Sequence, residues 1–291
     1  MFNARGWVSV VELIVFIPAL IAAIFVCLRH GFKRSYGWIF TLILCVVRII
    51  GAVCQLLTYN DHSSGLIQTT LIVDSIGLSP LLLATLGLLS RFTDTINVNS
   101  TSPFTTKHFR LTQLLISIGL ILSIVGGTRG TVKPDGTIEI ATESKAGIGL
   151  YIVAYIALAF ICLLSIRKVS SVPPTERRVP LAVIAALPFI LVRLVYSALS
   201  VFIHNHLFNI VNGSVVVLII MAVAEEFIVV AIYLLLGFCV DSLTQYGPVA
   251  SRPWKMNKRG RQTHLSRTKH QNQSNDTPQV YELRQGGPNA V

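Results

Sequence analysis

The chain has 291 residues, 53% hydrophobic and only 13% charged, with a mean hydropathy of +0.67. Soluble globular domains carry about 25% charged residues, so this balance excludes a water-soluble fold and indicates a polytopic membrane protein. The formal charge of +11 does not make nucleic acid an expected partner, because the basic residues fall in loops and tail, where the positive-inside rule puts them.

Seven apolar runs are long enough to cross a bilayer as helices. They are Val8–Leu28, Trp38–Thr58, Leu66–Ser90, Leu111–Gly127, Gly147–Ile166, Pro180–Ile203 and Ser214–Phe238. The first is too long for a signal-peptide core, and no small-residue cleavage site follows it. Arg29, Lys33 and Arg34 come directly after it, whereas only Arg5 and the amino terminus precede it, which places the N-terminus outside. Loops 29–37, 91–110 and 167–179 and the tail from Cys239 then face the cytosol with 18 Lys/Arg, against four on the other side. The expected fold is an all-α membrane protein, a seven-transmembrane helix bundle over residues 1–240 with a lumenal or external N-terminus and a cytosolic C-terminus. Residues 241–291 read as a basic, disordered cytosolic tail drawn to anionic lipid.

Two connections stand out in chain order. Between the fourth and fifth spans, Thr131–Ile140 places Pro134-Asp135-Gly136 between two β-prone runs, which predicts a small hairpin. On the fifth span, Ala146, Gly147, Gly149, Ala154, Ala157 and Ala159 predict close helix packing. Pro18, Pro80 and Pro188 lie within spans and predict bends. The five cysteines, Cys27, Cys45, Cys54, Cys162 and Cys239, form no CxxC pair and no outer-loop pair, so neither a disulfide framework nor a thiolate metal site is expected. Of seven histidines only His204 and His206 are close together, too few ligands for zinc, and no Gly-rich phosphate loop is present. No metal or cofactor is therefore expected.

The informative residues are six ionisable groups inside the spans: Glu12, Arg48, Asp74, Arg193, Glu225 and Glu226. A charge at the bilayer centre costs about 2.5–3.5 kcal/mol on insertion scales, so such residues face the bundle interior and mark function by default. At 1.5 Å rise per residue all six fall in the central and outer half of the bilayer. Helical spacing gathers Thr41, Cys45, Arg48, Gln55 and Tyr59 on the second span, Thr70, Asp74 and Gly77 on the third, and Arg193, Ser197, Ser200 and His204 on the sixth. On the last span Glu226 is in line with Tyr233, and Glu225 is rotated by about 100°. Four acids meet two bases. A pairing such as Asp74 with Arg193 and one glutamate with Arg48 leaves a carboxyl over, and a carboxyl left over in low dielectric is held in its protonated form. Either a salt-bridge network that fixes helix packing or a buried acid beside a cavity satisfies this count.

Several segments carry a resemblance: Ser35–Phe40 (SYGWIF), Arg48–Gly51 (RIIG), Ile76–Arg91 (IGLSPLLLATLGLLSR), Leu187–Tyr196 (LPFILVRLVY) and Met221–Val229 (MAVAEEFIV). They resemble a fungal family of seven-span integral membrane proteins over about residues 8–240, which implies a fungal source and the seven-helix fold. In size and span number the chain is also similar to fungal integral-membrane terpene cyclases, without their local motifs. That likeness implies a multi-pass enzyme of the endoplasmic reticulum or another endomembrane, which closes rings in prenylated, lipophilic meroterpenoid substrates of secondary metabolism by acid initiation. On that expectation Glu225, Glu226 and Asp74 are the catalytic acids, and Arg48, Arg193 and Glu12 the supporting charge network. Tyr196, Tyr233 and Gln55 line the cavity, and Trp38, Tyr155, Tyr196, Phe227 and Tyr233 offer aromatic faces to a carbocation. A seven-span receptor or sensor, or a proton-linked transporter, fits the same residues; the odd span number and the lack of a repeat weigh against the transporter.

Overall fold

Helix α1 (Ala4–His30) is 27 residues long, and α2 (Tyr36–Leu57) returns beside it. The computed structural model describes residues 4–31, 36–59, 65–66, 69, 72–73, 76–99, 106–129, 131–132, 138–139, 141–167, 177–202 and 215–240. The expected tail at 241–291 lies outside them, as do Asp74 and His204. The chain continues through α3 (Leu78–Asn99), α4 (Thr106–Arg129), strands β1 (Thr131–Val132) and β2 (Ile138–Glu139), α5 (Thr142–Ile166) and α6 (Arg178–Phe202). The last helix has three parts: α7 (Val215–Leu218), a π-helical turn at Ile219–Val223, and α8 (Ala224–Cys239).

Among the described residues six helices are long and apolar enough to span a membrane: Gly6–His30, Gly37–Leu57, Lys107–Arg129, Thr142–Ile166, Arg178–Phe202 and Val216–Cys239. The protein is thus an all-helical, multi-pass membrane protein apart from the small hairpin. The run read as a third span, Leu66–Ser90, is not among the six. Its second half forms the start of α3, which goes on through Arg91 and Asp94. Most of α3 from Leu78 to Phe92 is buried, so this helix forms the middle of the bundle, against α2, α4 and α6. Outward residues such as Ile14, Ile21, Leu28, Leu114, Phe160 and Leu235 are exposed and apolar, as a lipid-facing surface requires.

Pro80 lies in the first turn of α3, where a missing N–H is tolerated. The acceptor it leaves on Ile76 is taken by the Ser79 hydroxyl at 3.0 Å. Pro18 and Pro188 do lie inside helices, α1 and α6. The two strands of the expected hairpin pair, with Thr131 opposite Glu139 and Val132 opposite Ile138, while Pro134-Asp135-Gly136 lies outside the described residues. Beside it, the exposed pair Arg129–Glu143 joins the ends of α4 and α5. All five thiols are free.

The α4–α5 contact explains one small-residue pattern. Gly119, Ser123 and Gly126 face Tyr151, Gly147 and Ser144 at spacings of three and four, so the two backbones approach closely. Gly147 and Ala154 belong to this packed face, whereas nothing lies near the α-carbon of Gly149 on its side-chain side.

At the opposite end, α8 stops in a cluster of donors from other helices. Trp38 Nε1 donates to Tyr233 O (3.0 Å), His30 to Gly237 O (2.8 Å), Arg29 to Phe238 O (3.0 Å) and Arg178 to Cys239 O (3.4 Å). Gly237, Phe238 and Cys239 are among the last carbonyls, which a helix end leaves without partners, whereas Tyr233 lies one turn earlier. Since Gly237 O can only accept, His30 Nε2 carries the proton, and Nδ1 faces the Arg91 guanidinium at 3.5 Å. His30 stacks on Trp38 at 4.3 Å, and Arg91 lies 5.0 Å from the same ring. A side chain at Gly237 would meet Val26 and the Trp38 nitrogen.

A Cβ at Gly147 would lie 2.7 Å from Ser123 Oγ and 2.9 Å from Gly119 O. Gly147→Val is therefore expected to part α4 from α5 and cost about 1–3 kcal/mol, as overpacking does, whereas Gly149→Val changes stability little. Thermal denaturation of the two variants in the same detergent checks the contrast.

Candidate functional site

Helices α2, α6 and α8 each bring one charged side chain to a common point. Glu226 is completely buried, and Arg48 and Arg193 are nearly so. Arg48 grips the carboxylate with two nitrogens, Nε on Oε2 and Nη2 on Oε1. Arg193 Nε donates to Oε1 at 2.7 Å. Glu226 is thus the shared carboxylate of two guanidiniums, with both oxygens occupied as acceptors. The expected division, one glutamate on Arg48 and Asp74 on Arg193, is not the one found, since Glu226 serves both arginines; Asp74 lies outside the described residues.

Local structure explains how three helices meet there. A Cβ on Gly77 would fall 2.6 Å from Arg48 Nη2 and 3.3 Å from Glu226 Oε1, so glycine ahead of α3 makes room for the bridge. The π-helical turn at Ile219–Val223 ends two residues before Glu225 and inserts one extra residue into the helix. That residue turns Glu226 by about 100° relative to α7. No short sequence pattern announces such a turn, and sequence reasoning missed it.

A cavity of about 40 Å³ lies beside the bridge, enough for a few waters or a small polar group. Arg193, Tyr196, Ser197, Ser200 and Val201 of α6 form one wall. Ser144, Ile148 and Tyr151 of α5, Ser123 of α4, Leu78 of α3 and Leu218 of α7 complete it. It extends from the hairpin-bearing end of the bundle down to Arg193, nine residues from the end of α6, or about 14 Å. The Arg193 guanidinium is 3.4 Å from Ser197 Oγ and 5.6 Å from the Tyr196 ring. Tyr151, 1% exposed, brings its hydroxyl close to Ser123 and Ser79 without forming a hydrogen bond of good geometry to either. Sequence reasoning missed Tyr151, although its seven-residue offset from Ser144 places both on one helix face.

The remaining expected site residues separate. Tyr196 lines the cavity, but Gln55 and Tyr233 do not. Gln55 is half-buried on α2, two turns beyond Arg48. Tyr233 is fully buried two turns below Glu226, where its hydroxyl donates to Thr85 Oγ1 (2.7 Å), which in turn donates to Leu81 O. Glu12 is half-buried on α1. Glu225 is half-buried and off the cavity wall, and its Oε2 is sealed from solvent without a hydrogen-bond partner. The five aromatics do not form a cage. Trp38 caps α8, Tyr155 donates to Leu187 O (3.1 Å), and Phe227 points outward. Among the described residues no three His, Cys, Asp or Glu side chains come together as a metal site would need.

The two glutamates are expected to respond differently to the same change. Glu226→Gln leaves two guanidiniums facing a neutral amide and is expected to cost about 3–5 kcal/mol, as loss of one partner of a buried ion pair does. Glu225→Gln is expected to leave stability within about 0.5 kcal/mol. Melting temperatures of the purified variants measure the difference.

No curated protein matches the sequence. The profile of the family described as Domain of unknown function (DUF7702) matches residues 2–243, every helix from α1 to α8, and the chain belongs to that family.

Proposed function

We propose that this protein is a membrane-embedded binding protein of the receptor or sensor class, with its N-terminus and cavity mouth on the external or lumenal side. The observation that carries the reading is the continuity between cavity and bridge. Arg193 is at once a wall of the cavity and a donor to Glu226. A small amphipathic molecule that engages Arg193 pulls on the same guanidinium that ties α6 to α8. Since Arg48 holds the other side of Glu226, the pull is felt on α2 as well. The last turns of α8 are fastened to α1, α2 and α6 through the carbonyls of Phe238, Tyr233 and Cys239, so a change at Glu226 is delivered to the cytosolic face. Such a ligand acts only through a difference in its affinity for two arrangements of these helices.

Cys239 supplies the test, because it is exposed at the end of α8 while Cys27, Cys45 and Cys162 are buried and Cys54 is half-buried. An environment-sensitive fluorophore on Cys239 is expected to change its emission when ligand fills the cavity, and Ser197→Leu, which obstructs the wall, is expected to abolish the change. A cavity ligand that binds saturably yet leaves the label silent argues against a sensor.

One observation favours acid-initiated cyclisation of a prenylated substrate as a second reading: the sealed, unpartnered Oε2 of Glu225. In that reading Glu225 alone protonates an alkene or epoxide, and a proton lost after ring closure restores it. Glu226, with both oxygens held by arginines, has no part in the proton transfer. Glu225→Gln is then expected to abolish cyclised product at normal membrane expression, and full product from that variant removes the reading.

A further inference from the structure

The cavity wall carries one ionic group, the guanidinium of Arg193, and no carboxylate. Around it stand hydroxyls from Ser123, Ser144, Ser197, Ser200, Tyr151 and Tyr196. The Tyr151 hydroxyl is the exception in its bonding: it is buried on the wall and makes no hydrogen bond. A buried hydroxyl left unpaired is costly, and an acceptor that enters the cavity removes that cost. Tyr151 belongs to α5 and Arg193 to α6, so two donors from different helices line one small space.

We propose that this space is the head-group site for an amphipathic carboxylate, with the carboxylate accepting from Tyr151 and Arg193 together. The proposal rests on the binding reading above and specifies its ligand. A carboxylate is acceptor-only, has two oxygens, and suits a guanidinium and a phenol at once. An ammonium head group would meet Arg193 without a compensating acid on the wall. An alcohol offers one oxygen and no charge to the guanidinium. The cavity volume of about 40 Å³ admits a head group and no more, so the alkyl part must leave it through its mouth.

The experiment uses the full chain in nanodiscs of zwitterionic lipid, with radiolabelled decanoate as probe and empty nanodiscs as the partition control. Decanol, decylamine and methyl decanoate serve as competitors. Saturable decanoate binding is expected, with the three competitors at least ten-fold weaker than unlabelled decanoate. Tyr151→Phe, which removes one hydroxyl from a side chain that already packs, is expected to weaken decanoate about five- to ten-fold at an unchanged melting temperature. Ser197→Leu, which fills the cavity, is expected to abolish binding. Decanol competing as well as decanoate, while Ser197→Leu still blocks binding, overturns the carboxylate assignment and leaves the cavity as a binding site. Unchanged affinity in Tyr151→Phe has the same consequence. No saturable binding by any of the four probes, or binding that Ser197→Leu does not affect, overturns both this proposal and the binding reading on which it rests.

Discussion

One fully buried carboxylate held between two guanidiniums is the constraint on which the middle of this bundle depends. Taking each of these ions out of water costs several kcal/mol, and attraction repays that cost only if the geometry is good and spare donors are satisfied. Here Arg48 uses two nitrogens, Arg193 a third, and both oxygens of Glu226 are occupied. That arrangement tolerates little slippage. A displacement of α2, α6 or α8 by one residue along its axis moves its charge by about 1.5 Å and swings it by about 100°. The bridge therefore sets the register of three helices at once. Gly77 follows from it, because a β-carbon at that place would occupy the space of the Arg48 guanidinium.

Helix α8 transmits this constraint over distance. From Glu226 to Cys239 it runs about 20 Å as regular helix. At the far end its last carbonyls are held by His30, Arg29 and Arg178, and one turn earlier Trp38 donates to Tyr233 O. The helix is thus pinned at its charged end by ions and at its terminus by hydrogen bonds, with Tyr233 tied to Thr85 of α3 between them. The pins at Glu226, Tyr233 and Gly237 are buried, and those at Phe238 and Cys239 are exposed. The α4–α5 pair is held in another way, by small residues that bring two backbones together. The cavity opens between these two regimes of packing, bounded by the close pair on one side and by the bridge-bearing α6 on the other.

Much of this was legible in the sequence because charge in a hydrocarbon setting is costly and therefore informative. Arg48, Arg193 and Glu226 stood out as interior residues by depth and spacing alone, and they meet. The pairing of the strands at Thr131–Val132 and Ile138–Glu139 was readable because proline and glycine favour a turn by their backbone geometry and aspartate by hydrogen-bonding its own backbone. What could not be read depends on neighbours distant in sequence. Glu225 and Glu226 are adjacent and chemically alike, and only the π-helical turn and the positions of α2 and α6 decide which of them the arginines take. Pro80 read as a bend within a span, yet Ser79 supplies the missing donor and the proline begins α3. Trp38 and Tyr233 looked like cavity aromatics by type, but their polar atoms are used to cap α8 and to reach Thr85. Tyr151 drew no notice because nothing in its own helix shows that its hydroxyl is sealed without a partner.

The way the charges are shared bears on which chemistry this bundle favours. An acid that starts a reaction must hold a proton and face the substrate. Glu226 faces two arginines, and Glu225 has an unpaired oxygen but lies off the cavity wall. The cavity itself presents a guanidinium, which repels a developing carbocation, and of the five aromatics considered only Tyr196 lines it. These features suit recognition of acceptor oxygens better than stabilisation of positive charge. Recognition at Arg193 has a consequence beyond affinity. A guanidinium shared between a ligand and Glu226 cannot keep ideal geometry to both if they lie in different directions. Whatever the ligand gains is then set against what the bridge loses, and the arrangement of α6 and α8 with the better sum becomes the more populated one. A shift from 1:99 to 99:1 requires about 5.5 kcal/mol of differential binding. A charge-assisted hydrogen bond to a ligand contributes about 1.5–3 kcal/mol, so one such contact moves the balance part of the way. A graded response is therefore expected from contact with Arg193 alone, and a complete switch requires a second group that changes partner with it, for which Tyr151, buried and unpaired on the facing helix, is placed.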